Sequence, residues 1–227
     1  HLHHKQIGYA AGDMTLLNNL TGSQYLAHMA SLTRVNHPRQ QELIALIEPV
    51  LHKKLRSLSR GNRQKIALIA ALQHQPKLLI LDEPTTGLDP LMQEKLLRLI
   101  KTEAGDGTTV LMSSHVLSEV TTICSRVLFM KRGKIILDST VVDIESQAGK
   151  IVSITADKDQ LLALTKSRPA GLRAPERSGD TIRFLYQGSI DSVVRWLATY
   201  RLKDVSIQDR DFDSIFHDMY IDDGSKR

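Results

Sequence analysis

The sequence predicts an α/β protein: a core with a mainly parallel sheet and a helical subdomain, followed by a small α/β C-terminal domain. Three observations predict it. "KLLILDEP" (Lys77–Pro84) contains an unbroken apolar run of strand length, the pattern of a strand buried on both faces in a parallel sheet under helices. Strand-like and helix-like stretches alternate along the first part of the chain. A composition shift falls at "ESQAGK" (Glu145–Lys150), and shorter elements follow it.

The elements are read in chain order. "KQIGYAAGD" (Lys5–Asp13) is a short extended stretch leaving into a loop at Gly12. Leu20–Val35 opens on Thr and Ser and carries Tyr25, Leu26, Met29 and Leu32 at helical spacing. A second helix is expected over His37–Leu55, with Pro38 in its first turn and Leu43, Ile44, Ile47, Val50 and Leu51 on its stripe. Pro49 should bend or break it. Ser57–Pro76 holds a third helix: Ser59 and Gly61 stand at its start, Ile66, Leu68, Ile69, Ala70 and Leu72 fill it, and Pro76 marks its end. Strands follow at Leu78 and at Thr108–Ser114, then a helix over His115–Cys124, then two strands around Gly133. Beyond Lys150 the chain reads as three short strands interleaved with three helices, with Ser178-Gly179-Asp180 as a turn.

Composition narrows the function. With 41% hydrophobic and 24% charged residues, the chain of 227 residues is globular rather than disordered. No apolar run approaches the ~18 residues of a membrane span. The net charge of +5 is interleaved and aromatics are only 4%, which argues against a nucleic-acid stripe or base-stacking platform. A single cysteine, Cys124, excludes a disulfide framework and reads as a small buried residue. The opening "HLHH" lacks the spaced partners of a structural zinc site.

The chemistry concentrates in four short motifs. In "LLILDEP", Asp82 and Glu83 stand at the carboxyl end of a strand, the edge where open α/β sheets bind ligands. Adjacent carboxylates can divide labour: one holds Mg²⁺ through water, the other activates the attacking water. One helix earlier, "LSRGNRQ" (Leu58–Gln64) offers a Ser59 hydroxyl, a permissive Gly61 and a helix start, the elements of an anion site or simply of a capped helix. "TTGLDP" provides Gly87 for a tight turn and Asp89 as a cap or bridge. "LMSSH" ends in His115, again at a strand's carboxyl edge, where an imidazole could reach a γ-phosphate.

These four motifs, in this order and at about this spacing, resemble the ATP-binding cassette (ABC) ATPases. The resemblance covers about Gln6 to Ile144. The tail, especially "SIQDRDFDSIFHDMY", is similar to the C-terminal domain of the multidrug- and antibiotic-exporter branch. The resemblance implies a partial P-loop-type ATPase core over 1–145, its helical subdomain at about 14–57 and the remainder at 58–145, with a C-terminal domain over 150–227. It implies that Asp82 is the Mg²⁺-associated aspartate, Glu83 the residue polarising the hydrolytic water, and His115 the switch histidine at the γ-phosphate. Ser59 and Gly61 would bind the ATP held by the opposite subunit of a dimer, and Asp89 would contact that subunit. The implied partners are an integral membrane permease subunit and a second ATPase subunit, with no nucleic acid. The implied place is the cytoplasmic face of the cell membrane. Two other readings are a soluble ABC protein of translation or DNA repair and a non-catalytic binding protein.

Three departures qualify the resemblance. Arg60 and Asn62 stand where the family's signature has its third and fifth residues, Gly and Gln. Gly12 occupies the loop position that normally carries a Gln or Glu, so normal coupling there requires Asp13 to substitute. No Gly-x-x-x-x-Gly-Lys-Ser/Thr phosphate cradle occurs, and the first residue is His1. The sequence is therefore expected to be a C-terminal portion of an ABC ATPase, inactive by itself.

Overall fold

A computed structural model describes residues 3–12, 17–33, 37, 39–166, 169–210, 212, 214 and 215. The chain divides into two compact units, His1–Ile123 and Cys124–Arg227.

In the first unit, β1 (Ile7–Ala10), β2 (Leu78–Asp82) and β3 (Thr109–Ser113) form a parallel sheet in the order β1-β2-β3. Parallel neighbours need long crossovers. Helices α1 (Gly22–Thr33), α2 (Gln40–Ile47) and α3 (Arg60–Leu72) lie between β1 and β2. Helix α4 (Pro90–Gly105) lies between β2 and β3, and α5 (Leu117–Ile123) follows. Helix α3 packs on β1 and carries α1 and α2, while α4 packs on β3. The core is the seam between them: Ala10, Leu79 and Leu81 of the sheet meet Ile66, Ile69 and Leu72 of α3 and Leu96 and Ile100 of α4.

Local signals set the helix limits. Ser59 caps α3 by accepting the Asn62 N–H at 3.3 Å. Asp89 caps α4 by accepting the Met92 N–H at 3.0 Å, with Pro90 as the first helical residue. The helix expected to run on to Leu55 ends at Ile47: Glu48 takes a left-handed φ of 51° and Pro49 follows it. Pro38 lies outside the described residues. The buried Glu103 carboxylate on α4 is satisfied by Arg39, just before α2, so these two helices share an ion pair.

β2 differs from the expectation of burial on both faces. Leu79 and Leu81 are fully buried, but Ile80 is only half-buried. Tyr9 and Leu111 flank Ile80 in register and are 54% and 55% exposed. The core stands on one face of this sheet; the described residues leave the other face open to solvent.

In the second unit, β4 (Arg126–Lys131) and β5 (Lys134–Thr140) form a hairpin turning at Arg132-Gly133, both with positive φ, as such tight turns require. Helix α6 (Val141–Ala148) follows, capped by Thr140. Then come β6 (Lys150–Thr155), α7 (Lys158–Lys166), β7 (Leu172–Ser178), β8 (Thr181–Tyr186), α8 (Ile190–Leu197) and β9 (Asp204–Asp209). The four strands form an antiparallel sheet in the order β7-β8-β6-β9, a split β-α-β arrangement. Its core joins Val152, Ile154, Phe184 and Tyr186 to Leu161, Leu164 and Val193 of the helices.

The module thus has four strands where three were expected. β7, "LRAPERS", is the added one, and its Pro and charged residues hide it from a pattern search. It is tolerated because β7 is an edge strand whose register shifts between Arg173 and Glu176, so Pro175 owes the ladder no N–H. The stretch read as a third helix, "FDSIFHDMY", lies mostly outside the described residues; Phe212 and Ile215 are buried.

Candidate functional site

The parallel register decides which side chains meet. Asp82, the last residue of β2, pairs with Ser113, the last residue of β3. The chain then turns outward from both strands at the same edge, bringing Glu83 and His115 together.

Glu83 takes a left-handed φ of 48°, unusual for a non-glycine residue. Its N–H compensates by donating to the Ser113 carbonyl at 3.2 Å and to the Ser113 hydroxyl at 3.0 Å. The turn presents the Glu83 carboxylate to His115, with Oε2 2.6 Å from Nδ1. The Thr86 hydroxyl donates to the same oxygen at 3.3 Å. The His115 side chain is 73% exposed and that of Glu83 32%, so the pair is open to a ligand approaching from solvent. The Ser113 hydroxyl donates to Asp82 Oδ1, fixing that carboxylate beside the pair.

The other sequence-predicted residues form a separate patch. Gly61, in the first turn of α3, abuts the Gly87 backbone: a Cβ on Gly61 would stand 2.4 Å from the Gly87 carbonyl oxygen. That close approach seats the start of α3 on the loop before α4. Ser59 and Asp89 both serve as helix caps, and both remain exposed. Gln64, buried one turn into α3, donates to the Pro84 carbonyl at 3.3 Å and ties this patch to the turn after the acids.

Three contributors escaped the sequence reading. Ser113 holds Asp82 and Glu83, Thr86 holds the Glu83 carboxylate, and Gln64 anchors the acid turn. "SSH" at a strand's end was the available signal for Ser113; nothing in the local pattern singled out Thr86 or Gln64. Gly12 also has a physical reason to be glycine. A Cβ there would stand 2.9 Å from the Glu83 Cβ and 3.0 Å from the Asp82 carbonyl oxygen. Asp13, the suggested substitute ligand, lies outside the described residues.

The donor set suits a hard divalent cation, since Asp82 and Ser113 offer oxygen atoms only. Among the described residues no group of three or more His, Cys, Asp or Glu side chains could hold a metal ion by itself. A magnesium ion here would take further ligands from water and from the phosphates of a bound nucleotide. Among the described residues no helix is long and apolar enough to cross a membrane.

Comparison with known proteins points the same way. Residues 1–86 match the family described as "ABC transporter", and residues 53–120 match "AAA domain, putative AbiEii toxin, Type IV TA system". The uncharacterized ABC transporter ATP-binding protein YhaQ of Bacillus subtilis (strain 168) is 38% identical over 109 residues, covering 48% of this chain and 37% of that protein. The linearmycin resistance ATP-binding protein LnrL of the same organism is 30% identical over 152 residues, covering 64% of this chain and 49% of that protein. The chain thus spans less than half the length of these relatives. A dimeric, post-hydrolysis structure of the ATP-binding cassette MJ0796 bound to ADP and Pi superposes with a TM-score of 0.54, at 23% identity, over 60% of this chain and 63% of that one. With the strand-edge acids and histidine gathered at one edge of the parallel sheet, residues 1–86 are similar to the ABC transporter family, and 60% of the chain shares the fold of an ATP-binding cassette.

Proposed function

We propose that this chain is part of the ATP-hydrolysing subunit of an ABC exporter. The observation that carries the reading is the meeting of Glu83 and His115 at 2.6 Å on the carboxyl edge of the parallel sheet, with Asp82 held beside them. The named role of LnrL in linearmycin resistance favours export over import. The ATPase part extends to about residue 145, with the C-terminal module over 150–227. The working unit pairs two ATPase subunits and docks on a membrane permease at the cytoplasmic face, with no nucleic acid involved.

The chemistry follows from the geometry. Asp82 would hold a Mg²⁺ through water, and that ion would supply charge neutralisation at the phosphates. Glu83, oriented by His115 and Thr86, accepts a proton from the water that attacks the γ-phosphorus. His115 is exposed enough to turn from Glu83 toward the γ-phosphate, linking the base to the phosphoryl group under attack. Ser59 and the free amides of the first α3 turn face outward as an anion site for the nucleotide of the opposite subunit. Gly12 provides no side chain for metal sensing, which fits a degenerate site paired with a better one.

The 227 residues contain no Gly-x-x-x-x-Gly-Lys-Ser/Thr loop. Without that loop's amides and lysine, Asp82 and Glu83 only add negative charge beside a polyanion. Calorimetry on this chain alone is expected to give no micromolar MgATP binding. In the whole polypeptide that carries these residues, Glu83→Gln is expected to lower kcat for ATP at least ~100-fold with nucleotide affinity retained. Unchanged turnover would remove Glu83 from the role of base.

A further inference from the structure

We propose that Arg60 is a positioning residue for the Asp82–Glu83–His115 group. It acts through Gly12 and within its own chain, rather than as an extra phosphate ligand. This rests on the reading of Glu83 and His115 given above.

Arg60 is the first residue of α3, and its Nη2 donates to the Gly12 carbonyl at 3.3 Å. Among the described residues it forms no ion pair with a carboxylate. Its aliphatic stem crosses Gly87 closely: a Cβ there would stand 3.4 Å from both Arg60 Cγ and Cδ. Gly87 has a φ of +81°, so the loop has both the conformation and the open space that the arginine requires. Gly12 in turn is buried and lies against Glu83 Cβ and the Asp82 carbonyl. The Arg60 side chain therefore joins three segments: the start of α3, the exit from β1 and the loop before α4. The exit from β1 is thereby pressed against the two acids.

That backing matters because the Glu83 backbone is held in the left-handed region. Such a conformation persists only where its surroundings over-determine it. Ser113 fixes Glu83 from the β3 side, and Gly12, held by Arg60, closes the β1 side. Releasing Gly12 removes one support of Glu83, leaving those from Ser113 and Thr86, and lets its carboxylate shift relative to Nδ1 of His115.

The test uses the full 227-residue chain with ¹⁵N-labelled histidine at a fixed pH of about 7.5, above the ordinary histidine range. Glu83→Ala sets the reference displacement of the His115 Nδ1 resonance, which His115→Asn assigns. Arg60→Ala is expected to produce more than half of that displacement, with the unfolding midpoint of the first unit moving by no more than about 2 °C. Arg60→Lys, which keeps one donor, is expected to restore most of the signal. An unmoved His115 resonance in a folded Arg60→Ala overturns the proposal. If Arg60→Ala does not fold, Gly12→Ala decides. Its new Cβ is expected to displace the same resonance, and an unmoved resonance sinks the idea. No nucleotide is present, so this geometric test and the turnover test of Glu83→Gln can each fail alone.

Discussion

At the scale of single residues, most of the named side chains have a structural duty in addition to any chemical one. Ser59 is the clearest case, because its hydroxyl both faces outward and caps α3. Ser59→Ala is expected to destabilise the first unit by about 1 kcal/mol, the usual cost of losing such a cap, measured by urea denaturation. A full loss of folding would mean that Ser59 holds more than the Asn62 N–H. The position of Asp82, Glu83 and His115 at strand ends was legible in the sequence, because residue types and apolar runs are local. The sequence did not reveal Ser113, Thr86 or Arg60 as supports. Their importance lies in partners at sequence separations of 31, 3 and 48 residues, reached through the fold or through an unusual turn.

At the scale of elements, the helices and strands with clean periodicity were readable, and those defined by context were not. Helix α3 matched its apolar filling residue for residue: Ile66, Leu68, Ile69, Ala70 and Leu72 are all buried. Helix α4 lies between two strong motifs, and its helical spacing rests on Met92, Leu96, Leu99 and Ile100, all buried. β7 escaped because an edge strand need satisfy only one neighbour and can carry Pro175 and charges. One joint between elements has a pH consequence. His74, beyond the end of α3, is buried, and Nε2 donates to the Ile7 carbonyl of β1 at 3.2 Å. Burial pushes its pKa below the ordinary 6.5, overriding the stabilising backbone bond, and the charge of His37 acts in the same direction. The unfolded chain therefore binds the proton more readily than the folded one. Stability should be fully present above about pH 6.5 and decline as the pH falls below it. Comparing urea midpoints at pH 7.5 and pH 5 checks this: His74→Gln should flatten the difference, and an unaltered slope would exonerate His74.

At the scale of the whole molecule, each unit has its own core, one centred on Leu79, Leu81 and α3, the other on Val152, Phe184 and Tyr186. Two separate cores predict two separable unfolding events. Phe184→Ala should cost the second unit about 3–5 kcal/mol while leaving the transition of the first in place, as followed by calorimetry or residue-resolved hydrogen exchange. A single transition that shifts as one would show the units to be energetically fused. The α/β class was legible in the sequence, because periodicity is a local property; the division of the chain between Ile123 and Cys124 was not, since the composition shifts only near residue 145. Sheet order was not, since it depends on which strands find each other.

The row Tyr9, Ile80 and Leu111 gives the first unit a greasy stripe three strands wide, bordering Asp82 and Ser113 at one end. For anyone handling the purified chain, that stripe is a sticking point. Crowded solutions favour clumping through it, and clumps would mask the neighbouring acids. Dilute samples with a trace of mild detergent are therefore the conditions in which the acid–imidazole pair can be observed undisturbed.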